Sequence, residues 1–289
     1  MPNDMLSAFD EYFEIITADT PELLEQVFRL RYAVLCIEVR APGFEAAHYP
    51  DGMETDEYDR HSHHILLKHR PSGNFIGSAR LIFPDPSNPG KPFPVEQYTQ
   101  IDSVRIDISK LPRQHTVEIS RFILLGKYSR RREERRGSDT GTNGDQCDPS
   151  NRRRFPHPML AISVGIIRLC ARKGITHWFS VMEPALNRLL GLYGLQLDPI
   201  GPLVDHHGPR RPYYAEISKV LDRMHTNNHP IWELVTDQGK IQPLAPVCTP
   251  DQALNASMVA ELGTSSALGN LFRLPMKTEG SVGNRDTNS

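Results

Sequence analysis

The chain has 289 residues, 38% hydrophobic and 24% charged, with a formal net charge of −2. That length can bury a substantial core in one large or two small domains. The composition is that of a soluble globular chain, and the balanced charge supplies no global field for nucleic acid.

TADTPELLEQVFRLRYAVLCIEV predicts a first helix. Thr20 can cap it, Pro21 suits its first turn, Glu22 and Glu25 suit the positive end of its dipole, and Leu23, Leu24, Val27, Leu30 and Val34 recur at helical spacing. Residues 40–59 are acidic with Pro and Gly and read as a loop. HHILLKHRPSGNFIGSARLIF reads as a hairpin turning at Pro71 to Asn74, and TVEISRFILLG as a third strand after a Pro-rich stretch. Residues 129–156 hold eight Arg and five acids with almost nothing to bury, and are expected to be a mobile insertion. PMLAISVGIIRLCARKG predicts an apolar helix ended by Gly174, THWFSVM a buried strand, PALNRLLGLYG a helix from Pro184 to a stop at Gly194, and RPYYAEISKV a last strand. Residues 247–289 are rich in Ser, Asn, Gly and Thr and are expected to be mostly disordered, with a short helix at LGNLFRL. The order predicts one mixed α/β (α+β) domain over 1–246, a central sheet with helices on its faces.

MPNDMLSAFDEYFEI shows no charged-then-apolar leader, and runs such as MLAISVGIIRLCA are too short for a transmembrane segment. Cys36, Cys147, Cys170 and Cys248 form no CxxC pair and read as free thiols of a reducing, cytoplasmic compartment, with no zinc site expected. His61, His63 and His64 invite a metal, with His61 and His63 on one face of a strand. No third ligand is marked, so they read as surface histidines of an edge strand and no metal is expected.

Two stretches carry chemistry. METDEYD holds Glu54, Asp56 and Asp59; a solvated loop is the bland account of such a run. Arg80, in a strand between Ala79 and Leu81, is costly to bury without an anion, and Asp56 or Asp59 could supply it. Counting back across the hairpin turn places Arg80 opposite residues near 65, within reach of Asp59. In VEISRF, Glu118 has apolar neighbours and would hold its proton more tightly than usual, as a general base for an amine must. Glu118 and Arg121 could equally form a structural ion pair. Their odd spacing puts them on opposite faces of a regular strand, so a shared site requires a bulge.

The motifs resemble a family. RYAV from Arg31, E-x-D-x-x-D at Glu54, Asp56 and Asp59, G-x-x-R-L at Gly77, Arg80 and Leu81, and E-x-S-R-F at Glu118, Ser120, Arg121 and Phe122 occur in this order and spacing in acyl-homoserine-lactone synthases. The wider resemblance, over about residues 10–220, is to the autoinducer-synthase-like branch of the GNAT acyltransferases. Within it, the Cys of RYAVLCIEV, the S-x-H-x-L-L of Ser62 to Leu67 and the ME-x-x-L-x-R-L-L-x-x-x-G of Met182 to Gly194 look closest to PEP-CTERM/exosortase-associated acyltransferases and N-acyl amino acid synthases. Autoinducer members carry an aromatic four residues after the first Arg, where this chain has Leu35. The resemblance implies a GNAT-like sheet with helices on both faces and N-acyl transfer from a thioester to an amine. It implies Glu118, Ser120 and Arg121 as catalytic residues, and Arg31, Glu54, Asp56, Asp59, Arg80 and Phe122 around the substrate. Splayed central strands would leave backbone N–H groups within Arg121–Leu125 for an oxyanion.

No cofactor is expected to be tightly bound. The co-substrate expected is acyl-phosphopantetheine on an acyl carrier protein, or else acyl-CoA. The Q/R-x-x-G-x-G/A phosphate loop is absent, which favours the carrier, and Arg130–Arg136 with Arg152–Arg154 would suit a carrier's acidic surface. Arg210 and Arg211, in VDHHGPRRP, read as a turn near an anion. The competing readings are a non-catalytic acyl-carrier or lipid-binding regulator on the same fold, an acyl-homoserine-lactone synthase, and a nucleic-acid binder, the last disfavoured because the Arg-rich stretch has few aromatics.

Overall fold

The computed structural model describes residues 3–129 and 157–241. The expected insertion, apart from Ser129, and the expected tail over 247–289 with its short helix at LGNLFRL lie outside them. Helix α1 (Asn3–Tyr12) runs directly into strand β1 (Phe13–Ala18). Thr20 then caps α2 (Pro21–Arg31), its hydroxyl accepting from the Leu23 amide at 3.3 Å with Pro21 in the first turn. From Tyr32 to Glu38 the helix widens into a π-helix. A loop with short 3₁₀ turns leads to β2 (Ser62–His69), and Gly73, at φ 69, turns the chain into β3 (Asn74–Ile82). The short α3 (Pro94–Tyr98) precedes β4 (Thr116–Leu124) and the single turn α4 (Gly126–Ser129). The described chain resumes with α5 (Pro158–Arg172), β5 (His177–Met182), α6 (Pro184–Gly191), β6 (Asp198–Pro199), β7 (Val204–Asp205), β8 (Pro209–Glu216), α7 (Ile217–Asn227) and α8 (His229–Thr236). Gly174 and Gly194 take positive φ just beyond α5 and α6, as their places after those helices suggest.

The eight strands form one sheet in the order β1-β2-β3-β4-β5-β8-β6, with β7 also on β8. All the pairings are antiparallel except β4 with β5. Both faces of its centre are covered. Ile65 and Leu67 on β2, Ala79 and Leu81 on β3, and Val117 and Ile119 on β4 pack with α5, whose sequence is apolar nearly all round because almost all of it is buried. The opposite face carries Leu66 with Val27 and Leu30 of α2, and Ile82 with Tyr58, Phe93 and Phe179. At 25 cal/mol per Å² it is this burial on two faces, more than helix propensity, that holds the layers together.

The β3–β4 register slips by one residue. Ser78 pairs with Ile123 and Arg80 with Ser120, so Ala79 of β3 opposes both Arg121 and Phe122 of β4. Arg121, at φ 49, is the left-handed residue in this bulge. The slip reverses the facing of β4: Ile119 packs on the α5 side, yet Ile123, of the same parity, packs on the α2 side. On the other side of β4, pairing with β5 runs from Thr116↔His177 to Ile119↔Ser180 and stops, while β5 continues along β8. The two central strands therefore part beyond Ile119.

Several elements differ from expectation. β1, α1, α7 and α8 are not among the expected elements, although Ile217, Val220, Leu221 and Met224 of α7 recur at helical spacing, and the last predicted strand ends at Glu216, where ISKV opens α7. His61 ends a 3₁₀ turn before β2, so it shares no strand with His63. His64 is not at a surface edge: β2 is flanked by β1 and β3, and His64 is 1% exposed. Among the described residues, no helix is long and apolar enough to cross a membrane.

The Gly77 of G-x-x-R-L has a packing cause. A Cβ there would meet the Ile123 carbonyl oxygen at 2.9 Å and Ile162 Cδ1 at 2.8 Å. Gly77→Ala should destabilise the chain by about 1–3 kcal/mol, the usual cost of overpacking, read as a lower urea midpoint at unchanged m-value; an unchanged midpoint contradicts this contact.

Candidate active site

Six charged side chains from four segments close into one network on the α2 side of the sheet. Arg31, at the end of α2 and fully buried, donates from Nε to Glu54 Oε2 and from Nη1 to Asp59 Oδ1 at 2.7 Å. Arg80 donates from Nη1 to Asp56 Oδ1 at 2.5 Å and to Asp59 Oδ1 at 2.8 Å, and from Nε to Ser120 Oγ at 2.9 Å. Arg121 donates from Nη2 to Glu54 Oε1 at 2.8 Å and to Asp56 Oδ2 at 2.9 Å, and its guanidinium lies over the Phe44 ring at 4.8 Å. Each carboxylate bridges two arginines. The acidic stretch is therefore no solvated loop, because Glu54 is fully buried and Asp59 nearly so.

The loop holds itself in place. The Asp56 carboxylate accepts from the Tyr58 amide at 2.9 Å, and Asp59 accepts from the Asp56 amide at 2.8 Å. This reciprocal capping box explains the two-three offset of the carboxylates. The hairpin pairs Arg80 with His64, one residue from the expected position: the turn closes at His69↔Asn74, and the extra residue Ile76 in β3 shifts the register between Leu67 and Lys68.

Burial raises the Glu54 carboxyl, but Arg31 and Arg121 outweigh it and hold the group at about 2. Asp59 follows the same pattern: burial raises it, and Arg31 and Arg80 bring it far below the usual carboxylate range. Both stay ionised at neutral pH. His64 is driven down to about 4, by burial first, so it is neutral beside them.

Glu118 behaves oppositely. It is 4% exposed, and burial raises its carboxyl to about 7 against the Val95 amide, which donates to Oε2 at 2.7 Å, and against the fields of Arg80 and Arg121. Among the described residues no ion pair joins Glu118 to Arg121, whose partners are Glu54 and Asp56. The bulge nonetheless brings both to one face, as a shared site requires.

A cavity of about 710 Å³ opens where β4 and β5 part. Asp56, Tyr58, Arg80 and Glu118 line it on the polar side, while Ile166, Trp178, Leu190 and Leu197 line it within the α5–α6 core. Its residues come from both faces of the sheet, so the space passes through the gap. Ser120, Arg121 and Phe122 stand along that gap. The backbone stretch expected to offer free amides is shorter than Arg121–Leu125, because the Leu125 amide is already donated to the Ile76 carbonyl at 2.9 Å.

All nine site residues named from sequence lie in the network or line the cavity. Sequence reasoning missed the Val95 amide, Tyr98, and His206 with His207. Tyr98 and His206 stack at 5.2 Å and 13°, and His207 donates from Nδ1 to the Pro42 carbonyl at 2.6 Å. Only VDHHGPRRP gave a signal for the last two. Tyr98 and Val95 sit on a five-residue helix in a Pro-rich stretch with no periodicity to read.

The network should be cooperative. Arg80→Ala, which strands two carboxylates, should cost about 3–5 kcal/mol, and a double-mutant cycle with Asp59→Asn should show coupling; zero coupling contradicts the pairing. Because Glu54 sits at about 2 when folded and near 4.5 when free, its contribution to stability is present above pH ~4.5 and lost as pH falls toward 2. Acid unfolding followed by circular dichroism should therefore begin earlier in Arg121→Gln than in the parent; coincident acid limbs would contradict the link.

Residues 30–136 match the family model described as acetyltransferase (GNAT) domain. The comparison with curated proteins finds no match. Among solved structures, the chain is similar to the CoA-dependent acyl-homoserine lactone synthase BjaI with SAM and isopentyl-CoA, at 20% identity over 86% of this chain and 99% of that one, TM-score 0.49. It is also similar to TofI in a ternary complex with an inhibitor and MTA, at 16% identity over 75% and 99%, TM-score 0.47. A third is FeeM, an N-acyl amino acid synthase from uncultured soil microbes, at 10% identity over 74% and 96%, TM-score 0.45. The match to the GNAT acetyltransferase domain model thus spans the segments that carry the whole charged network, from Arg31 to Arg121.

Proposed function

We propose that the chain is an N-acyltransferase that moves a fatty acyl group from an acyl thioester to the amine of an amino acid or related amine. The observation that carries this reading is Glu118, a buried carboxyl near neutrality on a cavity that joins a charged face to an apolar chamber. An amine must lose a proton before it attacks a thioester, and a base poised near the working pH removes it most effectively. The ion network keeps the other carboxylates occupied with arginines, so Glu118 is the group of the site suited to accept that proton.

In the reaction, the acyl chain occupies the apolar chamber and its carbonyl lies in the gap between β4 and β5. The amine gives a proton to Glu118 and forms the new C–N bond at the carbonyl carbon. Backbone amides within Arg121–Leu124 and the Ser120 hydroxyl stabilise the oxyanion. The tetrahedral adduct then collapses, the C–S bond breaks, and the thiolate departs and takes up a proton. Arg31, Arg80 and Arg121 act by fixing Glu54, Asp56 and Asp59, and thereby the wall against which the amine is held; Phe122 flanks the acyl path.

For the donor we propose acyl-phosphopantetheine on an acyl carrier protein rather than acyl-CoA, supported by the missing glycine-rich phosphate loop and by the Arg-rich stretch after Ser129. A cytoplasmic setting and an association with PEP-CTERM/exosortase systems belong to the same proposal. They rest on the cysteine usage and on the motif resemblance.

Glu118→Gln should leave thermal stability and donor binding near the parent values while turnover falls by roughly 10²–10⁴. In the parent, the rate should rise with pH and level off above about 7, since the ionised carboxylate is the active form. That limb should vanish in the variant. Parent-like turnover in Glu118→Gln would remove the base assignment.

A further inference from the structure

The positive groups around the cavity are not all spoken for. Arg80 and Arg121 are neutralised by Glu54, Asp56 and Asp59, three carboxylates against the three arginines of the network. Arg210, on β8 at the end of the HHGPRR turn, also lines the cavity. Its Nε is shielded from solvent and has no hydrogen-bond partner, and among the described residues no ion pair or hydrogen bond holds its guanidinium. Burial works against its charge first; the exposed Glu183 then attracts it without forming an ion pair, and the field of Arg121 opposes it. His206 beside it is neutral, held to about 4 by burial and then by His207, Arg210 and Arg121, so it adds no second positive charge.

A half-buried guanidinium that faces a cavity and is held by no ion pair or hydrogen bond can take an anion from the cavity. We propose that Arg210 seats a carboxylate carried by the acceptor, so that the acceptor is an amino acid and not a simple amine. This rests on the acyl-transfer reading above. The acceptor then bridges the cavity, with its amino group toward Glu118 and its carboxylate on Arg210, the one against a base and the other against a fixed cation. The hairpin that carries Arg210 is pinned for this purpose: His207 meets the Pro42 carbonyl and packs on Phe44 at 4.8 Å, and Gly43 has no room for a Cβ, which would lie 2.5 Å from His207 Nδ1. A phosphate of the pantetheine arm is the other anion the reaction brings to the site, and kinetics separate the two.

The test compares the twenty common amino acids with their carboxamides as acceptors of octanoyl-pantetheine and of octanoyl carrier protein, in the parent, Arg210→Gln and Arg210→Lys. The parent should prefer the free acids. Arg210→Gln should raise KM for the acids roughly ten- to a hundredfold, leave the amides and the donor KM unchanged, and so erase the preference; Arg210→Lys should restore part of it. Melting temperatures should match, because Arg210 holds no internal partner. A preference that survives in Arg210→Gln overturns the proposal. So does a loss confined to the donor KM, which would place a phosphate there, and so does a parent that acylates acids and amides alike, although this last outcome leaves acyl transfer standing. A parent that acylates none of them, while still binding the acyl carrier, removes the acyl-transfer reading together with this one.

Discussion

One extra residue in β4 governs the site. The strand must reverse its facing between Ser120 and Ile123, and it does so by placing Arg121 in a left-handed conformation that side-chain-bearing residues rarely adopt. Such a conformation costs of order 1–3 kcal/mol and persists where its surroundings over-determine it. Here the surroundings are the Glu54 and Asp56 carboxylates and the Phe44 ring. The consequence is threefold: Glu118 and Arg121 share a face, β4 turns away from β5 beyond Ile119, and the cavity opens through the sheet at that point.

The electrostatics divide the carboxylates by environment. Glu54 and Asp59 are surrounded by guanidinium groups and remain ionised; Glu118 is buried with a backbone amide for company and titrates near neutrality. Pushing the proton affinities of neighbouring carboxyls apart in this way is how one site separates scaffold from base. Burying three arginines and three carboxylates is expensive, and the same groups could have been replaced by apolar ones at little cost in stability. What the ions add is a rigid polar wall with fixed directions, set against a chamber that is otherwise lined by aliphatic and aromatic side chains.

The local chemistry of the sequence was readable. Thr20 and Pro21 start α2, Gly73 turns the hairpin, and Gly174 and Gly194 follow α5 and α6, because caps and turns depend on neighbours in the chain. The apolar runs of α5 and β5 announced their burial. FEIITA did not announce β1, since a strand of intermediate exposure beside a helix has weak alternation. Nothing in VEISRF marks Arg121 as left-handed, as a Gly or Asn would; the bulge is imposed by partners more than sixty residues away. The acidic loop and Arg80 could be joined by counting across the hairpin, but the place of Arg31 in the same network came from motif resemblance alone. Arg210 was visible as a charge in a turn, and its lack of an ion pair becomes apparent once the other charges have been assigned in space.

The proposed reaction joins an acyl group to an amine in this cavity. Mass spectrometry of lipid extracts from cells expressing the chain, set beside extracts from cells expressing Glu118→Gln at equal protein level, tests it most directly. A new N-acyl amino acid should appear in the first extract and be lost from the second. Co-purified acyl carrier protein with no new N-acyl product in either extract would contradict it and leave a binding protein on an acyltransferase fold.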